Sequence, residues 1–295
     1  MQNSNPVLGV VCALGVICIW SSFIVFSRAG VTTALTAYDI TALRLIVAGL
    51  ATLPFAYWWW PRHLPVKVQA LLSLSGPGVI YSTMMYHGLG EASAAYGGVF
   101  ANGSLPIFTA LFAFLVWQVV PSTREFIAIA VIVTGAVLLG IPGMRAGGAN
   151  VAAGIVLFLS ASATVCAYTL GIRHYKITPK QALALVNVPN ALVFLPIWYA
   201  FLPSGMAETD IQTVIFQALF QGLGPGFLAL ILYTLSTIHL GAGPTAAFSA
   251  AVPASAAVLA IPVLSEVPTT LEWIGVATVT CGLALLVLKT HRGKA

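Results

Sequence analysis

Ten apolar runs of about 20 residues follow one another along the 295-residue chain, separated by short stretches that collect charges, proline and glycine. They fall at 7–29, 36–58, 68–89, 92–117, 123–141, 151–172, 181–202, 212–238, 244–265 and 270–288. Each is long enough to cross a hydrocarbon core roughly 30 Å thick. None alternates apolar and polar positions as a lipid-facing strand does, and backbone groups in lipid must be satisfied within their own segment. The pattern predicts an all-α polytopic membrane protein with ten transmembrane helices. The first run follows six residues without Lys or Arg and has no small-residue cleavage site, so it is expected to be a retained helix.

The runs are written twice. Pro106–Leu139 laid ungapped on Pro253–Leu286 matches at 13 of 34 positions, among them Pro106/Pro253, Pro121/Pro268, Glu125/Glu272 and Gly135/Gly282. Gly9 to Arg28 falls on Gly154 to Arg173 at one constant offset, and Gly76-Pro77-Gly78 recurs as Gly224-Pro225-Gly226. The unit is five helices, which divides the chain into repeats at 1–145 and 146–295. Because five is odd, the second copy enters the membrane from the opposite side. The expected architecture is two inverted five-helix repeats related by an axis in the membrane plane.

Composition sharpens this picture. Charged residues make up 6% of the chain, against about 25% in a soluble domain, and the mean hydropathy is +0.99. The net charge of +5 forms no continuous basic stripe, so nucleic acid is not an expected partner; the lipid bilayer is. With the N-terminus in the cytoplasm, inner loops and the C-terminus hold nine of the twelve Lys and Arg, two lie outside, and Arg44 sits within a span. Both termini are therefore expected to be cytoplasmic. Cys12, Cys18, Cys166 and Cys281 lie in apolar runs with no CxxC and no nearby His or acid, so neither a metal nor a cofactor is expected.

Ile19-Trp20-Ser21-Ser22-Phe23 with Arg28, the Arg44 segment Ala42-Leu43-Arg44-Leu45-Ile46-Val47-Ala48, and Pro106 and Pro253 ahead of Leu264-Ser265-Glu266 carry a family resemblance. The chain resembles the EamA-type drug/metabolite transporters, and among them bacterial amino acid exporters of the YddG kind. It departs from their pattern at Ser21 and Ser265, where the family has Gly, and at Val119, where the first half would carry its Glu. The resemblance implies an inner-membrane exporter of large neutral or aromatic amino acids and related metabolites, a monomer or weak homodimer, working by alternating access and not as an enzyme.

Inverted-repeat transporters bind substrate near midplane, where helices are interrupted. Pro106 and Pro253 lack the N–H that would bond the carbonyls of Asn102 and Ser249, freeing two acceptors at matched depths. Gly98, Asn102, Pro106 and Thr109 share one helical face, and Thr245, Ser249, Pro253 and Ala256 are their counterparts. These stripes suit either a polar substrate path or close helix packing. Both Gly-Pro-Gly triplets suit either hinges or fixed kinks, and free the carbonyls of Ser73 and Gln221.

Trp20, Tyr81, Tyr168 and Tyr233 lie inside spans and are candidates to line an apolar pocket with polar handles, with Met85 on the face of Tyr81. Arg44 reads as a buried tether to helix-end carbonyls, and Arg28 and Asp39 as a pair across the first outer loop. His87 is the candidate proton sensor. With no acid deep in any span, facilitated efflux is expected. A phosphorylated-metabolite carrier would need more cavity cations than Arg44, and an intramembrane hydrolase would need a nucleophile–base pair that the sequence lacks.

Overall fold

The computed structural model describes residues 5–287, and among these all regular structure is helical. The elements are α1 (Pro6–Val31), α2 (Ala37–Trp59), α3 (Val66–Ser75), α4 (Val79–Glu91), α5 (Ala94–Trp117), α6 (Thr123–Ala146), α7 (Gly148–His174), α8 (Pro179–Phe201), α9 (Ile211–Leu240), α10 (Pro244–Leu264) and α11 (Thr270–Val287). Eight of them, α1, α2 and α5–α10, are long and apolar enough to cross a membrane. α11 is a shorter apolar helix. α3 and α4 are the halves of the third expected run, divided at residues 76–78.

The ends are set locally. Asn5 caps α1 by accepting the Leu8 N–H, with Pro6 in the first turn. α2 and α8 open on capping boxes, Thr36 with Asp39 and Thr178 with Gln181. α6 runs past its expected end at residue 141, and a single glycine with φ of 61°, Gly148, turns it into α7. That left-handed conformation costs a residue without Cβ nothing.

The duplicated stretch adopts one geometry twice. Gln118 and Ser265, at equivalent positions but different in identity, both end their helices left-handed, at φ 55° and 57°. The Ser122 and Thr269 N–H groups donate to Glu125 and Glu272, each at 2.7 Å. Where α6 crosses α11, the contacts are reciprocal. A Cβ on Gly135 would meet the Gly275 carbonyl oxygen at 2.7 Å, and one on Gly282 would meet the Ala128 carbonyl oxygen at 3.1 Å. Ala128 is the repeat equivalent of Gly275, so both glycines allow the same close approach about a local two-fold axis.

The largest core cluster joins α1, α2, α4, α5 and α10 around Ile24, Ile40, Tyr86 and Leu89. Large apolar side chains, among them Leu50, Val116, Leu192 and Phe201, are exposed around the perimeter. In water such a surface would drive aggregation; in hydrocarbon it is the solvated face.

Candidate substrate site

The helix interruptions lie between the halves of the molecule, and the two Gly-Pro-Gly triplets differ. Pro77 frees the Ser73 carbonyl as expected, and the chain breaks there. Asn190 of α8 spans the gap: its Nδ2 donates to the Ser73 carbonyl at 3.0 Å and the Val186 carbonyl at 2.7 Å, while its Oδ1 accepts the Val79 N–H at 3.0 Å. Orphan groups on both sides of the break are thus satisfied. Gly224-Pro225-Gly226 instead stays helical, as the start of a π-helical turn at Gly224–Leu228. The two triplets therefore differ in backbone: a side-chain partner stabilises the first break, while a wider helical turn absorbs the second proline.

Pro106 and Pro253 also differ from expectation in placement. α5 is π-helical over Gly97–Asn102, is interrupted at 103–104 and resumes at Leu105, so Pro106 lies in a first turn. Pro253 likewise follows a turn at 250–251. In a first turn the missing N–H leaves no intrahelical bond unmade. Pro253 is buried, and a Cβ on Gly98 would meet its Cα at 3.1 Å, so α5 and α10 touch there.

The expected aromatic residues divide into two places. Trp20 of α1 stacks on Tyr233 of α9, with ring centroids 5.8 Å apart and planes 24° from parallel, and both stay partly accessible. Tyr81 is crowded by protein yet also partly accessible. Asn102, at the end of the π-helical stretch, is half-buried. Ser249 is half-buried and donates to the Thr245 carbonyl at 3.2 Å. Met85, by contrast, is fully buried in the main core. Tyr168 packs in a separate cluster with Leu64, Leu72, Leu185 and Val186. His87 Nδ1 lies 2.8 Å from the Thr83 carbonyl and its ring meets Tyr38 edge-on at 4.8 Å.

The expected Arg28–Asp39 pair does not form. Arg28 Nε donates to Glu266 Oε1 at 2.8 Å, the one ion pair among the described residues, and its Nη1 reaches the Leu89 and Gly90 carbonyls. The other oxygen of Glu266 accepts the Ala94 N–H at 2.9 Å. Asp39 is buried and accepts from the Thr36 and Gly205 N–H groups and from Trp198 Nε1, so its charge is met by hydrogen bonds alone. The two halves interleave, which brings residues 238 positions apart together and leaves sequence neighbours with other partners.

This clasp makes the two ends of the molecule unlike. At the Glu266 end, the second half of α10 buries Val252, Pro253, Ala256, Ala257 and Ala260 against α1 and the start of α5. Its repeat counterpart, the second half of α5, has no buried residue and packs chiefly along the α6–α7 pair. There Val119 and the exposed Arg173 stand where Glu266 and Arg28 stand at the other end. The face of α5 turned from α6 and α7 is uncovered and carries exposed apolar side chains, among them Leu111, Leu115 and Val116.

Several polar residues of the interior were not singled out from sequence. Gln221 donates to Ser27 Oγ and to Gln217 Oε1, each at 3.0 Å, and accepts the Tyr86 hydroxyl at 3.3 Å. Gln217 in turn donates to the Phe26 carbonyl at 2.7 Å. The spacing of Gln217 and Gln221 by one helical turn within an apolar run was the available signal. Arg44 donates from Nη2 to the Pro77 carbonyl at 3.2 Å, the tether expected of it.

The sequence profile of the EamA-like transporter family matches twice, at residues 7–141 and 152–288. The chain belongs to the EamA-like transporter family. It is 26% identical over 254 residues to an uncharacterized transporter, YwfM, of Bacillus subtilis (strain 168), covering 83% of this chain and 82% of that one. A solved crystal structure superposes with a TM-score of 0.64 at 19% identity, over 97% of this chain and 99% of the other. At that identity the likeness is one of fold.

Proposed function

We propose that this EamA transporter exports large neutral or aromatic amino acids and related metabolites across the bacterial inner membrane by alternating access, as facilitated efflux. The observation that carries the reading is the stacked, partly accessible Trp20–Tyr233 pair, which bridges the two halves beside helices that are broken or π-helical. A flat ring presents an apolar surface to a substrate side chain, and half-buried polar side chains beside the interruptions, Asn102 and Ser249, offer partners to its charged ends. In this reading α3 and α4 together make one crossing and α11 another, giving ten spans in two inverted repeats, 1–145 and 146–295, with both termini cytoplasmic.

Asn102, Pro106, Ser249 and Tyr81 line the path, and the uncovered end of α5 faces the cytoplasm to receive substrate. The Gly-Pro-Gly segments accommodate the rocking of each half, and His87 is a reserve proton site. The chain acts without a cofactor and catalyses no bond change, as a monomer or weak homodimer.

The test is uptake into proteoliposomes of radiolabelled Phe, Trp, Met, Leu, Thr and Glu, with and without an imposed pH gradient. Saturable flux of the large neutral members, indifferent to the gradient and lost in Trp20→Ala and Asn102→Leu, is the expected result. Flux that follows the gradient overturns the uncoupled mechanism. If no amino acid moves, the substrate assignment falls.

A further inference from the structure

Three buried side-chain polar atoms among the described residues have no hydrogen-bond partner, and two of them lie in one cluster. They are Nη1 of Arg44 and Oγ of Ser82; the Tyr86 hydroxyl interacts with both residues, but neither atom meets it in full hydrogen-bond geometry. Arg44 is 7% exposed, and its guanidinium sits 5.7 Å from the centre of the Phe23 ring. The Pro77 carbonyl holds only Nη2. Ser82 and Tyr86 are fully buried, and the Tyr86 hydroxyl is already turned to Gln221.

Among the described residues no acid pairs with this cation. Glu266 is engaged by Arg28 and Ala94, and both oxygens of Asp39 are taken by Thr36, Trp198 and Gly205. A buried guanidinium without a counter-ion is strongly destabilising, and each buried donor left unmade adds to that cost. Such sites inside a membrane persist where function uses them. The missing group must accept from two donors and bring about one negative charge. A carboxylate does both, whereas a phosphate dianion would need a second cation that the cluster lacks.

We propose that Arg44 and Ser82, steadied by Tyr86, form the subsite for the carboxylate of the transported compound. This rests on the transport reading above and names the group by which the substrate is recognised. Tyr81, which interacts electrostatically with Arg44 and Tyr86, is the partly accessible member of the cluster. Arg44 then has two duties: Nη2 holds the α3–α4 break through Pro77, and Nη1 reads the substrate.

The test compares phenylalanine with phenethylamine, the same molecule without its carboxylate, in proteoliposomes of the full chain. Losing a charge-assisted hydrogen bond lowers phenylalanine flux by about tenfold or more in Arg44→Gln relative to phenethylamine flux through the same variant. Arg44→Lys retains part of the phenylalanine flux. Ser82→Ala, which removes a hydroxyl whose polar neighbour, Tyr86, is turned to Gln221, keeps the fold if Arg44→Gln does not and lowers phenylalanine flux alone. Equal transport of acid and amine by the wild type overturns the proposal, because a water would then serve as the missing acceptor.

If neither compound moves, the amino acid reading fails. The subsite is then decided by melting of the detergent-solubilised protein with benzoate and phenylpyruvate against benzamide. Stabilisation by the carboxylates only, lost in Ser82→Ala, sustains it; no difference from the amide overturns it.

Discussion

Replacing Glu266 by Gln removes the charge of the Arg28 clasp while keeping an oxygen for the Ala94 N–H. The ion pair is short, 2.8 Å, and the partners are 19% and 22% exposed, so it lies between a surface pair and a buried one. Hydrogen bonds to charged groups contribute about 1.5–3 kcal/mol; allowing for solvent at this exposure leaves about 1–2 kcal/mol. This bond joins α1 of the first half to the end of α10 in the second, and the opposite end has Arg173 and Val119 instead. The clasp therefore stabilises only the conformation closed at its own end. Glu266→Gln shifts that equilibrium towards opening by a factor of about 5–30. A single cysteine at Ala257, fully buried on α10 beneath the clasp, reports the opening through its rate of reaction with a hydrophilic maleimide in a cysteine-free background. The rate rises by the same factor in Glu266→Gln, and it rises also when Val119→Glu gives Arg173 a partner, because a clasp at the opposite end favours the conformation closed there and open at this one. An unchanged rate in both variants refutes the reasoning.

Other positions separate packing from motion. Asn190→Leu strands the Ser73 carbonyl and the Val79 N–H, so it lowers the unfolding free energy by about 2–6 kcal/mol, read as an earlier melting transition. Gly135→Val drives a side chain into the Gly275 backbone and destabilises the α6–α11 crossing, whereas Gly226→Ala meets nothing within 4 Å and leaves melting unchanged. If the second triplet is a hinge, the same Gly226→Ala slows turnover at unaltered stability; equal turnover makes it a fixed kink. Trp20→Ala removes the Tyr233 stack and weakens uptake of aromatic substrates by a larger factor than uptake of Thr.

The membrane-embedded helices were legible because lipid leaves a segment one solution: continuous apolar helix. The duplication was legible for the same reason that Gln118 and Ser265 share a conformation without sharing an identity, since matched surroundings fix matched backbones. What sequence did not carry was partner choice. A proline frees a carbonyl wherever it stands, but whether the helix breaks depends on Asn190, 117 positions from Ser73. Arg28 was assigned to the nearest acid along the chain, and the interleaved halves supplied Glu266 instead. The polar cluster around Tyr86 draws on α1, α2, α4 and α9, and only their packing makes two unpartnered donors visible.

The central claim is that substrate crosses through the space between the two halves. Its most direct test is counterflow in proteoliposomes: radiolabelled phenylalanine outside, with and without unlabelled phenylalanine inside. The account predicts saturable uptake accelerated by internal substrate and abolished by Asn102→Leu. Uptake that neither saturates nor responds to internal substrate contradicts alternating access and describes a passive pore.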